Sequence, residues 1–157
     1  MPSSRKAREA MMQLLATVGT EVEKTPIVDL GSGWGSLIIR LAIKYPGRQV
    51  VGYELSIMPW LVTVLTSKLL GLKNITVYRQ DFLKVDLSAD AIIVCYLFPA
   101  AMAALDVKLA GQKTAIQYLI SNNFALPSLQ AEKTIRLDDF YRSPVYRYHL
   151  VDEGNGG

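Results

Sequence analysis

Three glycines alternate in Val28-Asp29-Leu30-Gly31-Ser32-Gly33-Trp34-Gly35, directly after an apolar run, with Asp29 two residues ahead of the first. Glycine at such a point lets the backbone turn sharply and lets a bound molecule approach the main chain closely. Three at alternate positions exceed what a tight turn alone requires. The dinucleotide fingerprint G-x-G-x-x-G/A seats pyrophosphate on a helix N-terminus. Here the third glycine arrives one residue early, at Gly35, and Ser36 takes the fingerprint position. Asp29 would repel pyrophosphate but can attract an ammonium group, directly or through water. The turn from Gly31 through Ser32 and Gly33 to Gly35 therefore suits a ligand without phosphate. Trp34 either lies beside that ligand or packs on the neighbouring helix.

Two further signals sit at comparable positions. Glu54 closes a second apolar run, 19 residues after Gly35. A carboxylate there can accept two hydrogen bonds from ribose hydroxyls. The other reading of Glu54, taken alone, is a surface acid. Asp81 and Phe82 follow a third run; the acid can accept from an adenine amino group, and Phe82 offers an apolar wall and a backbone N–H. Alone, Asp81 reads equally as an ordinary turn acid. Taken together, the three sites indicate a nucleoside-containing ligand.

The elements that must carry these groups alternate between strands and helices. Ser3 or Ser4 caps a first helix reaching about Val18, with Ala10, Met11, Leu14 and Leu15 inward. Strands are expected at 26–30, 49–54, 75–79, 91–96 and 115–121, with helices at 37–44, from the Ser56 cap to Leu70, and at 100–109. Gly71 and Gly111 are placed to end the last two helices. The segments 133–137 and 145–150 alternate as two closing strands without a helix between them. The pattern predicts a Rossmann-like, doubly wound, mostly parallel seven-stranded α/β sheet with a C-terminal antiparallel hairpin. A single domain over residues 1–153 is expected, with 154–157 as a disordered tail.

The chain's 157 residues allow one domain with its own core. Seventeen basic against 14 acidic residues give a net charge of +3, too small to require a nucleic-acid partner. Cys95, the single cysteine, lies in an apolar run and reads as a buried hydrophobe; no Cys/His cluster has zinc spacing, so no metal is expected. His149 is the single histidine, which leaves little for a His-based triad. No stretch reaches the roughly 20 apolar residues of a membrane span. These features point to a reducing, cytoplasmic setting.

In order and spacing, Asp29 to Gly35, Glu54 and Asp81-Phe82 resemble the class I S-adenosylmethionine-dependent methyltransferases. Gly52-Tyr53-Glu54-Leu55-Ser56, Pro59-Trp60-Leu61-Val62 and Cys95-Tyr96-Leu97-Phe98-Pro99, with the opening Pro2-Ser3-Ser4, are similar to a narrower group. That group is the small protein-lysine methyltransferases of mitochondrial carriers and ATP-synthase subunits, with their bacterial relatives. Two features depart from it: Trp34 stands where characterised members commonly carry an acid, and the N-terminal membrane segment of the mitochondrial members is missing. The resemblance implies S-adenosyl-L-methionine as cofactor, contacted by Asp29, Gly31, Ser32, Gly33, Gly35, Glu54, Leu55, Asp81 and Phe82. It implies a protein lysine as the first acceptor, ahead of RNA or a small molecule. Tyr96, at the end of the fourth strand, is the candidate on the acceptor side: its hydroxyl either orients an amine or simply caps the core. The run Tyr96-Leu97-Phe98-Pro99 replaces the Asn/Asp-Pro-Pro-Phe/Tyr tetrad of amino-directed DNA and glutamine methyltransferases. A non-catalytic nucleoside-binding module and an NAD(P)-dependent oxidoreductase are the readings of another class.

Overall fold

The computed structural model describes residues 4–18, 24–87, 90–111 and 116–150. The expected domain end at 151–153 and the tail at 154–157 lie outside the described residues, as do Ser3 and the expected strand start at Ala115.

Seven strands form one sheet in the order β3-β2-β1-β4-β5-β7-β6. They are β1 (Ile27–Leu30), β2 (Val50–Tyr53), β3 (Ile75–Tyr78), β4 (Ile92–Cys95), β5 (Tyr118–Asn122), β6 (Lys133–Arg136) and β7 (Pro144–His149). The first five run parallel, and β7 pairs antiparallel with both β5 and β6. The closing pair is thus the expected antiparallel hairpin, with β7 inserted between β5 and the edge strand β6. Strand order reverses at β1, whose neighbours are β2 and β4. A doubly wound sheet opens a ligand crevice at the carboxyl end of that switch point.

The helices are α1 (Arg5–Ala16), α2 (Ser36–Lys44), α3 (Ile57–Leu69) and α4 (Pro99–Gly111). Ser4, not Ser3, is the N-cap of α1, its hydroxyl accepting from the Ala7 N–H at 3.1 Å. The helix stops at Ala16, short of Val18. Helix α4 runs past the expected Leu109 and takes Gly111 into its last turn. Ser56 does precede α3, but its side chain makes no capping bond. Gly71, at φ +66°, ends α3 as expected: the Leu72 N–H bonds back to the Ser67 carbonyl at 3.0 Å.

Period-two alternation divides the sheet into two cores. Ile27, Val50, Ile92, Val94, Ile120 and Val145 pack with Met11 and Leu14 of α1 and Ile38 and Leu41 of α2. On the opposite face Val28, Leu30, Ile93, Cys95, Leu119 and Tyr148 pack with Met102 and Leu105 of α4. Strands β1 and β4 are wholly buried, which explains the unbroken apolar run of β4. Alternation also puts Asp29, Tyr96 and Asn122, at neighbouring strand ends, on the face that carries α1 and α2. Arg147 fastens α1 to the sheet: its guanidinium donates to the Leu14 carbonyl at 3.1 Å, to the Thr17 hydroxyl at 2.6 Å and to Glu132 at 3.1 Å.

Candidate functional site

Gly31, Gly33 and Gly35 have φ of +71°, +56° and +85°, so the handover from β1 to α2 winds through left-handed backbone three times. Residues with a Cβ pay to enter that region, which is why glycine recurs here. Helix α3 supports the turn from below. A Cβ on Gly35 would meet the Thr63 side chain at 2.7 Å, and the Thr63 hydroxyl donates to the Pro59 carbonyl at 2.9 Å and the Gly33 carbonyl at 3.3 Å. Trp60 ties α3 to the sheet, its indole N–H donating to the Val77 carbonyl at 2.9 Å.

A hollow of about 400 Å³ opens above this turn, lined by Asp29, Gly31, Ser32, Gly33, Glu54 and Tyr96 among others. Trp34, Ser36, Leu37, Ser56 and Phe98 complete its wall. The Trp34 side chain is 53% exposed and lines the hollow, the position from which it would lie beside a ligand. Glu54 accepts from the Gly33 N–H at 2.7 Å and from the Ser56 N–H at 3.0 Å. Its carboxylate therefore holds the glycine turn and the start of α3 together, and still has free lone pairs.

Asp29 is buried, and no described residue donates a hydrogen bond to its carboxylate. Desolvation, and then the nearby Glu54 charge, push its pKa from 3.8 up to about 8. The Ser32 hydroxyl is also buried without a partner. A lone carboxyl and a lone hydroxyl under one hollow are costly unless something polar completes them.

The remaining expected residues stand apart from this wall. Leu55 is exposed beside Glu54 but is not among the lining residues. Asp81 caps a short 3-10 helix (Phe82–Lys84), accepting from the Leu83 N–H at 3.0 Å, and neither it nor Phe82 lines the hollow. Both lie at the carboxyl end of β3, two strands from β1. Residues missed by sequence reasoning are Ser36, Leu37, Ser56 and Phe98; Phe98, an aromatic straight after a buried strand, carried the clearest signal.

Cys95 is wholly buried, and burial pushes its thiol up to about 12, so it is a packing residue. His149 pairs with Tyr118 at the start of β5 and stacks on its ring at 4.7 Å, at the opposite end of the sheet from the hollow. It cannot act as a base there. Among the described residues no group of three or more His, Cys, Asp or Glu could hold a metal ion, and no helix is long and apolar enough to cross a membrane.

A family model described as the ANTKMT methyltransferase domain matches residues 29–133, more than half of the chain. An RNA methyltransferase from Salinibacter ruber, solved with S-adenosyl-L-homocysteine, superposes with a TM-score of 0.80 at 23% identity, covering 100% of this chain and 98% of that one. An S-adenosylmethionine-dependent methyltransferase from Aquifex aeolicus gives 0.66 at 14% identity, over 93% and 91% of the two chains. PKMT2 from Rickettsia typhi, in complex with AdoHcy, gives 0.58 at 18% identity; 79% of this chain aligns but only 25% of that one. A search of curated protein sequences gives no match. With the fold shared and the family model running from Asp29 in β1 through β5, the chain belongs to the ANTKMT methyltransferase-domain family of S-adenosylmethionine-dependent methyltransferases.

Proposed function

We propose that the hollow above the glycine turn holds S-adenosylmethionine and that the chain methylates a lysine amine of another protein. One observation carries the reading: two carboxylates, the left-handed glycines Gly31 and Gly33 and an unpartnered Ser32 hydroxyl border a single hollow of about 400 Å³. That volume falls within the roughly 300–1,000 Å³ usual for small-molecule sites. The donor set fits the group. Asp29 offers a buried negative charge to an ammonium, Glu54 offers acceptors to ribose hydroxyls, and the open backbone at Gly31 and Gly33 admits close approach. Leu55, Asp81 and Phe82 would complete the adenosine end from the ends of β2 and β3.

When bound, this cofactor supplies a methyl group already activated by a sulfonium. The chain's own work is then positioning and water exclusion. Asp29 and Glu54 orient the donor from β1 and β2, while Trp34 and Phe98 cover its two sides with apolar surface. Tyr96 stands at the boundary with the acceptor. The lysine reading rests on the family; RNA is the second reading, favoured by the full-length likeness to the Salinibacter enzyme.

Incubation of the protein with methyl-labelled S-adenosylmethionine and host-cell extract tests the proposal. The expected result is label in protein, recovered as methyl-lysine after hydrolysis and resistant to ribonuclease. Gly33→Val serves as the silent control once its melting curve shows it folded, since φ +56° strains any side chain there even though a Cβ meets nothing nearer than the Gly31 carbonyl at 4.0 Å. Label released by ribonuclease would replace lysine by RNA, and no label in any fraction would remove the transfer reading.

A further inference from the structure

Tyr96 is a wall between two hollows. On its other side lies a second, smaller space of about 210 Å³, bordered by Ser4 and Ala7 at the start of α1, Asn122 and Asn123 at the end of β5, and Leu137, Asp139 and Ser143 between β6 and β7. These residues come from chain segments more than a hundred positions apart. They meet because β7 lies antiparallel between β5 and β6, which brings the β6–β7 connection to the same sheet end as the glycine turn.

The shared wall is built to stay in place. Asn123 sits at φ +72°, left-handed for a residue with a side chain, and is fixed there by its N–H on the Pro144 carbonyl at 2.8 Å. That bend turns Phe124 back against Tyr96, the two rings stacking at 6.3 Å and 7°, and Phe98 tilts onto Phe124 at 6.2 Å. Ser121 donates to the Phe124 carbonyl at 2.6 Å and completes the support. Among the described residues nothing bonds to the Tyr96 hydroxyl.

The far side of the second hollow is acidic. Asp139 accepts from the Ser143 N–H at 2.9 Å, chiefly through which its carboxyl is held below the usual range, with Lys6 adding a smaller contribution. Lys6 is itself engaged, donating to the Asp138 carbonyl. No lysine or arginine lines the hollow, so a phosphate backbone finds no partner in it.

We propose that this second hollow is the acceptor subsite: Asp139 captures the ammonium of an incoming lysine, and the amine then advances past the Tyr96–Phe124–Phe98 rings into the donor hollow with its stem following along them. The inference rests on the reading above that the first hollow holds the donor. Aromatic faces attract a cationic amine and its apolar stem together, and Asp139 adds the charge selection. Methyl transfer forms a nitrogen–carbon bond as the carbon–sulfur bond breaks, so the amine must reach Tyr96 neutral, its proton leaving to water beforehand.

The test uses the whole chain with S-adenosyl-L-homocysteine and a probe, Nα-acetyl-lysine methylamide, titrated by amide NMR. The uncharged analogue Nα-acetyl-norleucine methylamide is the control. The lysine probe should shift the amides of Asn123, Asp139 and Ser143, and the norleucine probe should shift them far less. Asp139→Asn keeps an acceptor for the Ser143 N–H, and should weaken the lysine probe about threefold to fivefold while leaving S-adenosyl-L-homocysteine affinity unchanged. Tyr96→Phe keeps the ring and should retain probe binding. Equal shifts with both probes, shifts confined to other segments, or an Asp139→Asn variant that binds as the parent does would overturn the assignment. Failure of S-adenosyl-L-homocysteine itself to bind the parent would instead remove the donor reading beneath it.

Discussion

Asp29 is a buried carboxyl that no described residue serves with a hydrogen bond. It sits in β1 between apolar neighbours, with the Glu54 carboxylate nearby, and its pKa rises to about 8 for those two reasons. A carboxyl raised in the folded state keeps a proton that the unfolded chain, near 3.8, has already lost. Stability contributed by Asp29 therefore falls as pH rises from about 4 to about 8, and levels off above that. Asp29→Asn removes this dependence. The gap in melting temperature between variant and parent should widen in the variant's favour by several degrees between pH 5 and pH 8. Any constant cost of the new amide cancels in that comparison. A gap that stays flat with pH would mean Asp29 is ionised in the free protein and that solvent reaches it.

The glycine turn works only because α3 lies beneath it. Gly35 carries both a left-handed φ and a missing Cβ whose space Thr63 occupies. Gly35→Ala should cost about 1–2 kcal/mol from backbone strain alone and more from the clash. Adding Thr63→Ala removes the clash but not the strain. The double variant should thus be less destabilised than the sum of the single changes, as read from urea midpoints. Strict additivity would show that the two residues do not touch. This pairing also marks where the sequence was legible. Buried strands announce themselves as apolar runs, and a backbone that must go left-handed announces itself as glycine, so β1, β2, β4 and the turn were readable. Glu54 was readable because it closes a strand. Thr63 beneath the turn was not, since a threonine within an apolar helix carries no mark of what it supports. Nor was the second hollow: Ser4, Asn123 and Asp139 meet through the insertion of β7, a non-local pairing that leaves no periodicity in the chain. Asp81 was legible as a strand-end acid; one of its oxygens accepts the local Leu83 N–H and the other stays free.

If the hollow holds the proposed donor, the molecule as a whole couples proton binding to ligand binding, because the most buried carboxyl among the described residues, Asp29, lies beneath it. In the free protein at pH 7 a group with a pKa of about 8 is mostly protonated. A ligand bearing an ammonium stabilises the ionised form, so its binding must expel that proton. Calorimetry of S-adenosyl-L-homocysteine binding at pH 7, repeated in two buffers of different ionisation enthalpy, counts the proton directly. The parent should release close to one proton per ligand, and Asp29→Asn should release almost none while binding more weakly. Glu54→Gln probes the other half of the argument. Removing its charge takes away the second cause of the Asp29 shift, so the free carboxyl ionises more readily and the proton count at pH 7 should fall below that of the parent. If parent and Asp29→Asn released the same number, the proton would be coming from elsewhere and Asp29 would not be the group that meets the ligand's charge.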